Sequence, residues 1–128
     1  MKLLGIDYGN SKIGLAIGDI ESGMATPFGV IKNSGWNNAI DEIKKLCEKE
    51  RIEKIVIGIP VNPDDIESEQ IKKIQQFIAL LKEATGLEVS EQDERFSTQE
   101  AQKLIEKGKS KDDDLSAMLI LQGYIDKV

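Results

Sequence analysis

The hydrophobic positions change period along the chain. Residues 2–8 and 12–19 are rich in Leu, Ile and Gly and are joined by Gly9-Asn10-Ser11, which predicts a hairpin of two strands. Ala25 to Lys32, reached through Glu21-Ser22-Gly23, predicts a third strand of the same meander. Asn33-Ser34-Gly35 reads as a turn. Beyond it Trp36, Ile40, Ile43 and Cys47, with Ala39 and Leu46 beside them, recur at helical spacing. Residues 54–59 are almost wholly apolar, the pattern of a short strand buried on both faces. Asn62-Pro63-Asp64-Asp65 breaks the chain and offers a helix N-cap. Ile71, Ile74, Ile78 and Leu81 form the next helical stripe, closed by Gly86, and residues 87–92 predict another strand. Ser97-Thr98-Gln99-Glu100 has the capping-box pattern, so a helix is expected to run on to Lys107, with Gly108 as its C-cap. A last helix is expected from Asp112 to Ile125.

The order is therefore βββαβαβαα, with no internal repeat or linker, and one domain is expected over residues 1–128. It predicts an α/β fold with a five-stranded mixed sheet: a three-stranded antiparallel meander plus two parallel strands, with helices on both faces. Right-handed crossovers place the fourth and fifth strands parallel to the first. Asp7 then ends strand one, Pro60, Asn62 and Asp64 follow strand four, and Asp93 and Glu94 close strand five. All would emerge on one rim, the carboxyl edge where open α/β sheets bind ligands.

Composition narrows the chemistry available at that rim. The 128 residues include no His, one Cys, 17 basic and 23 acidic side chains, for a formal charge of −6. Histidine-dependent triads and histidine zinc sites are excluded, as are an internal disulfide and a CxxC pair. The acidic balance, with a pI near 4.8, argues against binding nucleic acid or membranes by bulk attraction. The longest apolar runs are too short to span a bilayer, and Met1-Lys2-Leu3-Leu4-Gly5-Ile6 meets Asp7 at once, unlike a signal peptide. A cytoplasmic location without membrane association is expected. Cys47, on the apolar side of its helix, reads as a buried inert thiol.

Asp7 is the most informative residue. It ends a strand expected to be central and buried, where a carboxylate needs a cation or hydrogen-bond donors. It could also cap the hairpin turn through amides near Asn10. Gly9 fits a positive φ, a close backbone approach or an ordinary turn. Asp93-Glu94-Arg95 reads either as a surface ion pair or as a carboxylate with a phosphate-binding Arg95. Ser97 and Thr98 read as helix caps that could also donate to a phosphate at the helix N-terminus. Asp112-Asp113-Asp114 suits a helix start electrostatically, or holds one site acid. A helix over 98–107 is about 15 Å long and residues 108–111 span at most about 14 Å, so Asp113 can just return near Glu94. Three carboxylates on one rim favour Mg²⁺ or Mn²⁺, which prefer oxygen ligands and can activate water without histidine.

These residues carry a resemblance. Gly5-Ile6-Asp7-Tyr8-Gly9 with Lys12-Ile13-Gly14-Leu15-Ala16, then Val56-Ile57-Gly58-Ile59-Pro60-Val61-Asn62, then Asp93-Glu94-Arg95-Phe96-Ser97-Thr98 with Glu100-Ala101, and finally Asp113 with Ser116-Ala117 and Ile120-Leu121-Gln122 stand in order over nearly the whole chain. The pattern resembles the YqgF/RuvX family of ribonuclease H-like proteins, Holliday junction resolvases or nucleases that process precursor small-subunit ribosomal RNA. The resemblance implies that Asp7, Glu94 and Asp113 are the catalytic, metal-binding acids. It selects Asp113 because that residue stands four before Ala117 and eight before Leu121. It also implies substrate contacts from Gly9, Lys12, Asn62, Arg95, Ser97, Thr98, Lys109 and Lys111. The loop Gly108-Lys109-Ser110-Lys111 is shorter than the basic loop many family members carry.

The expected function is a Mg²⁺- or Mn²⁺-dependent nuclease on structured RNA, with the 5′ end of precursor 16S ribosomal RNA as substrate, or on branched DNA, acting as a monomer or homodimer. Two readings compete with it. One is a catalytically silent partner of nucleic acid or the ribosome. The other is a sugar-kinase-like ATPase, because Asp7-Tyr8-Gly9-Asn10 with Lys12 and Gly14 also resembles an actin-like phosphate loop, although such proteins need two domains.

Overall fold

Alternating apolar and small residues pair Lys2–Asp7 (β1), Lys12–Asp19 (β2) and Met24–Lys32 (β3) into an antiparallel meander. Lys54–Ile59 (β4) and Glu88–Asp93 (β5) add parallel to β1, giving the strand order β3-β2-β1-β4-β5. The computed structural model describes residues 1–59, 69–93 and 113–128, so the expected helix over 98–107 lies outside the described residues. Strand boundaries fall within one residue of those expected, and β1 is the central strand.

Side-chain alternation splits the sheet into two cores. Leu4, Ile6, Ile13, Leu15, Ile55, Ile57 and Val89 face the helices Trp36–Glu50 (α1) and Glu69–Thr85 (α2). Leu3, Ala16, Ala25 and Val56 face the helix Asp113–Lys127 (α3), through Ala117, Ile120, Leu121, Tyr124 and Ile125. Helices thus cover both faces, as expected, and β4 is buried on both sides. Each fully buried Leu or Ile contributes about 1.5–3 kcal/mol of apolar transfer.

The α1 stripe expected from the sequence is observed: Ala39, Ile40, Ile43 and Cys47 are buried. Its end is less ordinary. Arg51 adopts a left-handed conformation at φ 56° and closes the helix, its N–H donating to the Glu48 carbonyl. On α2, Phe77 joins the expected Ile74, Ile78 and Leu81 in the core, while Ile71 is only half-buried. Gly86, at φ 71°, ends α2 and donates to the Lys82 carbonyl. Burial pushes the Cys47 thiol up to about 11, which keeps it protonated and inert near neutrality. Among the described residues no helix is long and apolar enough to cross a membrane.

Candidate functional site

Asp7 sits half-buried at the carboxyl end of β1. Alternation turns Leu3, Gly5 and Asp7 toward the α3 face and Leu4 and Ile6 toward α1 and α2. Gly14 pairs directly with Asp7 on β2. On β4 the register of Ile6 against Ile57 brings Gly58 beside Asp7. No side chain therefore flanks Asp7 on its own rung of that face. On the opposite face the next residue, Tyr8, packs against Phe77 with tilted rings 4.9 Å apart and accepts a 2.8 Å hydrogen bond from Trp36 Nε1. Phe77 also meets Trp36 edge-on at 5.9 Å. This aromatic cluster anchors the chain just after Asp7, and only Trp36 of the helical pair was evident from the spacing.

Two glycines let α3 lie close on the sheet. A Cβ at Gly5 would stand 2.7 Å from Leu121 Cβ and 3.0 Å from the Ala117 carbonyl oxygen. A Cβ at Gly18 would stand 2.9 Å from Ile125 Cδ1 and 3.0 Å from Leu121 Cδ2. Gly18 pairs with Leu3, so from Ile125 through Leu121 to Ala117 the helix advances from the Leu3 level to the Gly5 level. One further turn, about 5.4 Å, leads to Asp113, and two strand residues, about 6.6 Å, lead from Gly5 to Asp7. The first residue of α3 thus lies toward the rim where β1 ends.

Gln122 fixes the other end of α3 to the meander. Its Oε1 accepts from the Ala25 N–H at 2.9 Å, and its Nε2 donates to the Gly23 carbonyl at 2.9 Å and to Asp126 at 2.9 Å. Gln122→Ala leaves two part-buried backbone groups without these partners. The variant is expected to lose about 1–2 kcal/mol, measured by chemical denaturation. Unchanged stability would show the clamp to be dispensable.

The rim expected from topology is present: β1, β4 and β5 run parallel and end at Asp7, Ile59 and Asp93. Gly9 is explained by a close approach, because a Cβ there would collide with the Lys12 carbonyl oxygen. Lys12 opens β2 and is exposed. Asp113 opens α3. Asn62, Glu94, Arg95, Ser97, Thr98, Lys109 and Lys111 lie outside the described residues. Among the described residues no three potential ligands gather into a metal cluster. Asp7 is a half-buried oxygen donor whose neighbours on its own rung are Gly14 and Gly58, and an oxygen donor is the ligand type that suits a divalent ion.

The N-terminal ammonium lies 3.4 Å from Asp19 and Lys2 lies 3.7 Å from Glu50, both at the amino end of β1. Lys54 lies 3.6 Å from Glu88, and a hydrogen bond with Tyr124 raises its pKa.

A family model described as "RuvX: Holliday junction resolvase" matches residues 1–127. A protein of Clostridium kluyveri is 34% identical over 135 aligned positions, covering 100% of this chain and 98% of its own length. One of Clostridium tetani is 36% identical over 135 positions, with 100% and 98% coverage. Both bear the provisional name pre-16S rRNA nuclease. The alignments exceed this chain's 128 residues, so the relatives carry residues it lacks. Among solved structures, Thermus thermophilus RuvC in complex with Holliday junction substrate superposes with TM-score 0.68 at 14% identity, covering 99% of this chain and 95% of that one. The Fowlpox virus Holliday junction resolvase gives 0.64 at 14% identity, covering all of both chains. These structural likenesses bear on the fold, which is ribonuclease H-like.

Proposed function

Because the chain belongs to the RuvX family, we propose that it is a phosphodiester nuclease acting on structured nucleic acid, with precursor 16S ribosomal RNA as substrate. The observation that carries this reading is Asp7, on the central strand of a ribonuclease H-like sheet, with glycines beside it and α3 beginning toward the same rim. The names of relatives at 34–36% identity support the RNA substrate. The family's description keeps branched DNA as the second substrate. We further propose that residues 1–128 act as one domain, as monomer or homodimer, in the cytoplasm.

Asp7, Glu94 and Asp113 would hold Mg²⁺ or Mn²⁺. When bound, such an ion polarises a phosphoryl oxygen and lowers the pKa of water. With no histidine in the chain, carboxylates are the plentiful side chains able to take up a proton near neutrality. Gly9, Lys12, Asn62, Arg95, Ser97, Thr98, Lys109 and Lys111 would bind and orient the phosphate backbone, the lysines and Arg95 by charge and the hydroxyls by hydrogen bonds.

The test is cleavage by the wild-type chain, in Mg²⁺, of a precursor 16S RNA fragment and of a four-way DNA junction. Cleavage of the RNA with the junction intact is expected. Cutting of the junction alone would move the function to resolution of branched DNA, and no cutting of either would leave a nucleic-acid-binding protein without turnover.

A further inference from the structure

The antiparallel register of β2 and β3 places Lys12 directly opposite Lys32. Like charges facing one another across two strands destabilise a sheet. Both lysines are exposed, and neither joins the ion pairs of the described residues, which use the N-terminus, Lys2, Lys45 and Lys54. Lys32 also borders a depression containing Asp41 and Glu42, but Asp41 is bonded to Lys45 at 3.1 Å. The facing lysines gather two positive charges on one rung in a chain of net charge −6.

They also line a shallow, open cleft of about 340 Å³ together with Asn10, Ser11, Asn33 and Ser34. Its walls are tied together: Asn33 Nδ2 donates to the Gly9 carbonyl at 2.9 Å, and the Asn33 N–H donates to the Ser11 carbonyl at 2.8 Å. Two facing cations with short polar side chains are the chemistry of an anion site.

Lys12 stands two residues from Gly14, the partner of Asp7, a distance of about 7 Å along β2. A distance of that order is comparable to the separation of neighbouring phosphates along one strand. We propose that the Lys12–Lys32 cleft holds a backbone phosphate of the substrate strand, next to the phosphodiester presented to Asp7. This rests on the nuclease reading of the Asp7 rim and adds Lys32, Asn33 and Ser34 to it. The contact is to phosphate, so it positions the strand without reading sequence.

The test is binding of a cleavage-resistant RNA hairpin and of a four-way DNA junction to the full chain, by fluorescence anisotropy in Mg²⁺ over a range of salt. Lys32→Gln is expected to weaken binding about threefold and to reduce the slope of log affinity against log salt by about 0.7–0.9. Lys82→Gln, the same charge change on α2, should leave the slope unchanged. The melting temperature of Lys32→Gln should hold or rise as the facing charges are relieved. Unchanged affinity and slope in Lys32→Gln would overturn the proposal, as would an equal loss in Lys82→Gln, or a lower melting temperature with unaltered binding. Inorganic phosphate, titrated alone, separates a free-anion site: binding lost in Lys32→Gln while RNA and DNA affinities stay unchanged also overturns it. A wild-type chain that cleaves while Lys32→Gln binds normally removes the cleft and keeps the nuclease. A chain that cuts nothing but shows the lysine-dependent slope does the reverse.

Discussion

Asp7→Asn is expected to lower Mg²⁺-dependent cleavage about 10³-fold while leaving the fold intact. The variant keeps the side chain's shape and one oxygen and loses only the charge, so the effect isolates what the carboxylate does. Asp7 is half-buried at the end of the central strand. The carboxylate's benefit is expected when a cation is present: electrostatic support of several kcal/mol in the transition state corresponds to about a thousandfold in rate. Melting curves provide the second readout. Mg²⁺ at about 100 times its dissociation constant should stabilise the wild type by about 2.7 kcal/mol, and the variant should not respond. An Asp7→Asn chain that cuts at the wild-type rate would remove the carboxylate mechanism. Equal Mg²⁺ stabilisation of both chains would place the ion elsewhere.

What can be read from one chain depends on whether a feature is local. The period-two runs, Gly9-Asn10-Ser11, Gly23 at φ 72° and Gly86 are written in neighbouring residues, and the meander and helix ends followed from them. The unbroken apolar run of β4 carried its burial on both faces. The topology then put Asp7 and the ends of β4 and β5 on one rim before any register was known. The register itself depends on partners distant in sequence. Nothing near Asp7 says that Gly14 and Gly58 flank it, and the irregularity between Leu15 and Ala16 shifts β3 without a local signal. Phe77 fits a helical stripe whether or not it meets Tyr8 and Trp36, and its central place comes from the packing of α2 on the sheet. Gln122 stands in a motif that resembles the family's, yet its clamp on Ala25 and Gly23 reaches across 97 and 99 residues and leaves no periodic trace.

Gly5→Ala is expected to damage activity more than stability. The added methyl would stand 2.7 Å from Leu121 Cβ and 3.0 Å from the Ala117 carbonyl, atoms close to the α3 backbone with little freedom to turn aside. β1 cannot yield easily, because it is hydrogen-bonded to β2 on one side and β4 on the other. The helix must lift instead, and overpacking of this kind costs about 1–3 kcal/mol. Asp113 lies one turn before Ala117, so a lift at Ala117 moves the start of α3 relative to Asp7. A misplacement of about 1 Å in a reacting constellation can cost about 10²-fold, and cleavage by Gly5→Ala should fall by that order at a temperature where the variant remains folded. Gly18→Ala is the control. Its methyl would meet Ile125 Cδ1, Leu121 Cδ2 and the Met24 carbonyl, and the first two are side-chain ends that can rotate. It should cost stability at the far end of α3 and leave the cleavage rate near wild type. Equal rate losses in both variants would mean that loosening α3 anywhere disables the chain. A Gly5→Ala enzyme with full activity would show that the close seat of α3 on β1 does not set the position of Asp113.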